Sequence, residues 1–160
     1  MITKQEIWSA LDDVKDPEIP RVSVVDMGII TGVEISDDDF VNVKMTPTFA
    51  GCPAVNVMKS DIISVISKLP VKGINVDVSF DVQWNSNMIT EKGRKLLKES
   101  DFALPAKHNG LVTIDMLANV ECPHCGSNQT KLQTPFGPTQ CRAIHYCNNC
   151  LQAFEQFKPV

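Results

Sequence analysis

Two Cys-x-x-Cys turns, Cys122-Pro123-His124-Cys125 and Cys147-Asn148-Asn149-Cys150, stand 21 residues apart (positions 126–146) and limit this chain more than any other feature. A turn of this kind brings two thiolates to one point. Two such turns complete a tetrahedral four-sulfur site with metal–sulfur distances of about 2.3 Å. The separation is about one residue longer than the roughly 15–20 usual for such pairs. That excess fits a zinc ribbon, in which a hairpin joins the two knuckles, and the β-prone pieces Lys131–Thr134 and Arg142–Tyr146 are there to form it. A segment of about 40 residues buries too little surface to fold alone, so its metal would supply the folding free energy. Cys122, Cys125, Cys147 and Cys150 are the expected ligands of a closed, structural site. Zinc suits this donor set, and iron in a rubredoxin-like arrangement suits it as well.

A dithiol redox centre competes with this reading, because Cys-Pro-His-Cys by itself matches the active tetrapeptide of oxidising thioredoxin-fold proteins. That chemistry needs a βαβ scaffold longer than the flanking sequence, and a second pair would be idle. Four thiolates at this spacing need neither Cys141 nor His145, so both are expected in ribbon packing or at the surface, with His124 pointing to solvent.

Charge and pattern shift near Leu104–Gly110. Residues 1–104 carry eleven Lys+Arg against sixteen Asp+Glu, a balance of −5, and residues 105–160 carry four against three, a balance of +1. The stretch Leu104-Pro105-Ala106-Lys107-His108-Asn109-Gly110 has linker composition. Two domains are expected, 1–104 and 121–160, joined by a linker over 105–120. The net charge of −4 argues against a nucleic-acid grip, which depends on clustered Lys and Arg. No apolar run approaches the ~18 residues of a membrane span, and the N-terminus shows no cationic segment followed by an apolar one. A cytoplasmic protein with no membrane partner is the expectation.

The first domain reads as α-β-β-α-β-α, an α+β layer of helices on a small sheet. Thr3-Lys4-Gln5-Glu6 has capping-box form, and Ile7, Ala10, Leu11 and Val14 follow at helical spacing until Asp16-Pro17 ends the run. Met27–Ile35 and Phe40–Met45 read as strands around a turn at Ser36–Asp39, the second with Val41, Val43 and Met45 on one face. Pro53 fits the first position of a helix whose Met58, Ile62, Val65, Ile66 and Leu69 face inward. Ile74–Val82 alternates as a third strand, and about Met88–Lys98 forms the last helix.

Cys52 then falls at the N-cap of the second helix, where unpaired N–H groups favour a thiolate over a thiol. Such a thiolate would ligate iron or zinc, or attack an electrophile; an inert buried cysteine fits the position equally well. Asp16-Pro17-Glu18-Ile19-Pro20 sets two carboxylates on a proline-stiffened loop, as acceptors for a metal or cationic partner or as a solvated turn. Thr46 and Thr48 offer hydroxyls to the same loop or form its turns, and Trp84 either walls a pocket or caps the core. No nucleophile–base pair is legible, since His108 lies in the linker and the other two histidines in the ribbon, so no catalytic activity of its own is expected.

Three segments carry a resemblance. Asp16–Pro20, Val25-Asp26-Met27-Gly28-Ile29 and Thr46-Pro47-Thr48-Phe49-Ala50-Gly51-Cys52-Pro53-Ala54 resemble the small domain of SufT-type iron–sulfur assembly proteins. The cysteine ribbon, with Phe136–Ala143 and Phe154–Lys158, resembles the tail of the PaaD family of phenylacetate-degradation proteins, as does Trp84–Pro105 with Ile89-Thr90-Glu91-Lys92-Gly93-Arg94. Asp101-Phe102-Ala103-Leu104-Pro105 and Trp84-Asn85-Ser86-Asn87 depart from that subfamily's Gly-Ile-Ala-Pro-Pro-like and Trp-Thr-Thr-Asp-like runs.

The resemblance implies an accessory protein of a phenylacetyl-CoA mono-oxygenase (epoxidase) system that assists iron–sulfur cluster maturation of the reductase component. It marks Cys52, Asp16 and Glu18 as contacts for a transient cluster or a client, and the ribbon cysteines as zinc ligands. Partners would be the oxygenase and reductase components or other iron–sulfur clients. A general cluster-assembly factor and a stable structural component of the oxygenase complex are the competing readings, and a homo-oligomer is compatible with each.

Overall fold

A computed structural model describes all 160 residues, which divide into two compact units: residues 1–84 with 88–93, and residues 85–87 with 94–160. Helix α1 (Lys4–Asp12) opens the first unit on the anticipated capping box: Glu6 N–H donates to Thr3 Oγ1 at 3.3 Å, and Thr3 N–H to Glu6 Oε2 at 2.8 Å. Ile7 and Leu11 of α1 are fully buried.

Strands β1 (Ile30–Ile35) and β2 (Phe40–Met45) pair antiparallel, and β3 (Gly73–Val78) pairs with β2 in parallel, giving a mixed sheet of order β1-β2-β3. A parallel neighbour needs a crossover, which is helix α2 (Val55–Ile66). Val41, Val43 and Met45 of β2 are buried, and so are Met58, Ile62 and Ile66 of α2. Each such side chain contributes about 1.5–3 kcal/mol of burial free energy. On the other face of the sheet, Lys44 pairs with Glu34 at 2.9 Å and Asn75 donates to Asn42 at 2.8 Å.

Several elements differ from the sequence expectation, β1 among them, since it begins at Ile30 rather than Met27. The third strand stops at Val78, leaving Phe80 and Val82 61% and 49% exposed. Its partner β2 ends at Met45, and Pro47 beyond it has no N–H for a ladder, so Ser79 N–H to Met45 O (2.9 Å) is the last rung. Helix α2 begins at Val55 with Ala54 as its N-cap, so Cys52 and Pro53 belong to the preceding turn. There Cys52 N–H donates to Phe49 O and Val55 N–H to Cys52 O, both at 3.3 Å.

After a single 3-10 turn (Ser86–Met88), helix α3 (Glu91–Glu99) begins. In the second unit, β4 (Phe102–Ala103), a short α4 (Asp115–Ala118), β5 (Thr130–Thr134), β6 (Arg142–Cys147) and β7 (Ala153–Phe157) follow. The sheet order is β4-β7-β6-β5, with β6 antiparallel to both β5 and β7 and β4 parallel to β7. This is the ribbon hairpin foreseen over 131–146, extended by two strands that periodicity did not reveal. The architecture is α+β: a mixed sheet with helices, then a sheet carrying a four-cysteine cluster. No helix is long and apolar enough to cross a membrane.

Candidate functional site

The first knuckle is closed by backbone bonds from Gly126 N–H to Cys122 O and from Cys122 N–H to Ser127 O, both 2.9 Å. The second is closed by Leu151 N–H to Cys147 O (3.0 Å) and Cys147 N–H to Gln152 O (2.9 Å). Both turns end in left-handed residues, Gly126 at φ +72° and Leu151 at φ +60°. All four sulfurs lie within 4.8 Å of one another, with Cys122 and Cys150 3.7 Å apart and Cys125 and Cys147 3.6 Å apart.

These separations test the fit of a metal. A disulfide needs about 2.05 Å. Sulfurs at the corners of a tetrahedron, each about 2.3 Å from its centre, stand about 3.8 Å apart. The cysteines therefore fit a bound metal and are not cross-linked. Cys122 and Cys147 are buried with Ala103, Val120 and Phe154, Cys150 is half-buried, and Cys125 is exposed. Asn149 donates to Cys125 Sγ at 3.5 Å and, with the Ser127 amide, pulls that thiol down to about 6. Desolvation, and then the neighbouring sulfurs, push Cys150 up to about 12. Cys125 and Cys150 therefore do not ionise alike, and a divalent ion at the cage would let both bind as thiolates.

His145 is fully buried rather than at the surface. Its ring stacks on Phe154 at 5.4 Å, and its Nε2 shares a hydrogen bond with Gln156 Oε1 at 2.9 Å. Cys141 is also buried, with Thr139 Oγ1 3.0 Å from its sulfur. His124 has its Nδ1 3.9 Å from Asp101.

In the first unit, Asp16 Oδ1 accepts from Glu18 N–H (2.8 Å) and Ile19 N–H (3.2 Å), which fixes the acidic loop as an Asx turn. Cys52 is half-buried. Burial is the largest influence on its thiol and raises the pKa, and the charges of Glu18 and Asp16 add to the rise. The amides of Ala54 and Val55 pull the other way and lose. The expectation of a ready thiolate at a helix end is thereby corrected: the helix amides reach the sulfur, but burial and two carboxylates outweigh them. The same interaction shows that Asp16, Glu18 and Cys52, 34 to 36 positions apart in sequence, lie within electrostatic reach of one another.

Thr46 is buried and donates through Oγ1 to Val82 O at 3.0 Å, tying the start of the Cys52 loop to the exit of β3. Thr48 is half-buried. Trp84 is buried and donates from Nε1 to Met27 O at 2.8 Å. Sequence reasoning missed a charge network in the first unit. Lys92 lies 2.7 Å from Asp12 and 3.5 Å from the buried Asp26, and Asp26 also accepts from Thr90 Oγ1 at 3.2 Å. Nothing local in the sequence announces that grouping.

A half-exposed cysteine within electrostatic reach of an acidic turn lies in the first unit, and a cage of four thiols that fits a metal lies in the second. Family models match accordingly: an iron–sulfur cluster assembly protein over residues 4–78, and a PaaD zinc β ribbon domain over residues 107–158. A protein of Escherichia coli (strain K12), described as a candidate component of 1,2-phenylacetyl-CoA epoxidase, is 31% identical over 97% of this chain and 92% of its own length. The chain belongs to the PaaD-like family of iron–sulfur assembly proteins. An Fe–S protein maturation auxiliary factor of Porphyromonas gingivalis (strain ATCC BAA-308 / W83) is 41% identical over 56% of this chain and 86% of its own. Among solved structures, a DUF59 domain of Bacillus anthracis superposes with a TM-score of 0.56 at 26% identity, covering 59% of this chain and 90% of that one.

Proposed function

We propose that this protein is a cytoplasmic accessory factor of a phenylacetyl-CoA mono-oxygenase system and assists iron–sulfur cluster maturation of the reductase component. The single observation that carries the reading is the half-exposed Cys52 sulfur within reach of the Asp16 and Glu18 charges. The similarity over 97% of this chain to the E. coli protein, which is named for 1,2-phenylacetyl-CoA epoxidase, supports the epoxidase system as its setting.

The chemistry follows from the residues. With burial and two carboxylates holding it protonated, the Cys52 thiol is a poor nucleophile and resists stray alkylation or oxidation. An approaching iron ion or cluster reverses the balance: its positive charge favours the thiolate, and Asp16 and Glu18 turn from repelling the thiolate to attracting the metal. Cys52 supplies the soft ligand and the carboxylates the hard ones. The ribbon is a different kind of site. Cys122, Cys125, Cys147 and Cys150 would hold zinc, which supplies folding free energy and leaves no open position for a substrate. A rigid module of that kind suits docking on a partner protein.

The reading is tested by co-expressing the client reductase with wild-type or Cys52→Ser protein and measuring iron, acid-labile sulfide and the visible spectrum of the purified reductase. The substitution should leave the assisting protein folded and the client under-loaded, because serine is a poor ligand for a soft metal. Fully loaded reductase from the Cys52→Ser strain removes the proposal. A general assembly factor is the second reading, favoured by the 41% identity of the first unit to the P. gingivalis maturation factor. Under that reading, unrelated iron–sulfur enzymes would also be under-loaded.

A further inference from the structure

The second unit contains a half-open cavity of about 190 Å3 that neither the cysteine cage nor the Cys52 loop uses. Its walls come from α3, β4, the strap that follows β4, and α4. Phe102, Leu104, Met116, Val120 and Pro123 supply the apolar half of its lining, and polar groups, Glu121 and Asn119 among them, supply the rest. Two cations from successive turns of α3, Arg94 and Lys98, also line it.

The two cations are not equivalent. Lys98 is exposed and is answered by Glu121 at 3.9 Å. Arg94 is half-buried and has no carboxylate partner. One arm of its guanidinium donates to Pro105 O at 2.7 Å, which fixes the group at the cavity wall and leaves the remaining N–H donors uncommitted. Gln156, which also lines the cavity, is buried and already committed: its amide donates to Met116 O at 3.1 Å, and its Oε1 shares a hydrogen bond with His145 at 2.9 Å. The uncompensated charge of this cavity is therefore that of a pre-oriented guanidinium beside the apolar side of the lining.

We infer that this cavity is a binding site for a small organic carboxylate with a compact apolar body. Guanidinium recognises carboxylate through paired, charge-assisted hydrogen bonds. An apolar cavity of about 150 Å3 accepts a benzene-sized molecule. The space here suits one six-carbon body, cyclic or chain, with its carboxylate at Arg94. Because Gln156 joins the cavity wall to His145 and hence to Phe154 in the cysteine core, occupancy stabilises the ribbon sheet.

The test is titration calorimetry and thermal melting of the full-length, metal-loaded protein with hexanoate and benzoate, each against its primary amide. Saturable binding of the acids at one site per chain is expected, with a rise in Tm and the amides at least about tenfold weaker. Arg94→Gln should weaken the acids by about tenfold or more while Arg94→Lys keeps part of the affinity. Met116→Trp should fill the space and abolish binding. If Met116→Trp does not fold, the acid–amide comparison and Arg94→Gln decide alone. Absence of saturable binding, equal binding of acid and amide, or wild-type affinity in Arg94→Gln each overturns the assignment.

Discussion

The sulfur of Cys122 lies 3.7 Å from that of Cys150, 28 positions further along the chain, at the edge length of a metal–thiolate tetrahedron rather than of a disulfide. The protein is therefore expected to purify with about one divalent metal per chain, colourless if zinc. Acidification must release it, because each thiolate that regains a proton is lost as a ligand, and affinity falls as pH falls. Metal analysis after dialysis across pH 8 to 4, followed by amide NMR of residues 130–157, checks this. Retention of ordered β6 and β7 resonances after complete metal loss would separate the fold of the ribbon from its ion.

Lys92 bridges Asp12 and Asp26, and the bridge is expected to make stability depend on acid. The Lys92 hydrogen bond, followed by that of Ser23, lowers the Asp12 pKa below its ordinary 3.8. A carboxyl whose folded pKa is depressed adds stability above its unfolded pKa, and that stability is lost as pH falls through the lower, folded value. Lys92 is 57% exposed at its side chain, which screens the pair. Lys92→Met should therefore lower stability only slightly at neutral pH and flatten the urea-denaturation profile below about pH 4. An unchanged profile would show that Asp12 is held by Ser23 alone.

Local pattern carried much of the fold, and tertiary proximity carried the rest. The Thr3–Glu6 capping box, the buried Val41, Val43 and Met45 face and the two knuckles are legible because each is a short-range rule acting on neighbouring residues. Strand β4 is two residues long and exists only because Phe102 and Ala103 reach β7, some fifty positions away. The alternation through Phe80 and Val82 promises a longer third strand, but strand length is set by the partner, and β2 has already reached Pro47. At Cys52 the helix amides were visible in the sequence. The burial and the charges of Glu18 and Asp16, which decide the protonation state, come from a distant loop.

Gly93 should not tolerate alanine, although alanine in a helix normally gains about 1 kcal/mol over glycine. A β-carbon at Gly93 would sit 2.6 Å from the backbone oxygen of Asp26, and Thr90 N–H already bonds that same oxygen at 2.9 Å. The opposing contact is just as close, since a β-carbon at Gly28 (φ +68°) would meet Met88 O at 2.4 Å. Backbone cannot step aside as a flexible side chain does. Gly93→Ala is expected to destabilise by about 1–3 kcal/mol, read as a lower urea midpoint; a rise in the midpoint would mean that the approach of α3 to Asp26 is looser than described.

The protonation state of Cys52 yields the most direct test of the electrostatics around it. Because burial and then Glu18 and Asp16 raise its pKa from the ordinary 9.0, alkylation by iodoacetamide should be slow at pH 7.5 and climb about tenfold per pH unit, since only the thiolate reacts. Removing the Glu18 charge lowers the pKa and enlarges the thiolate fraction at a given pH. Glu18→Gln should therefore speed alkylation at pH 8 by roughly two- to fivefold. Asp16 is a poorer choice for this purpose, because its carboxylate also holds the Glu18 and Ile19 amides and its loss would loosen the turn itself. Peptide mass mapping distinguishes Cys52 from the buried Cys141 and from the four cage cysteines, which a bound metal protects. A rate already flat above pH 7 would mean that the Ala54 and Val55 amides prevail and that the thiolate stands ready before any metal arrives.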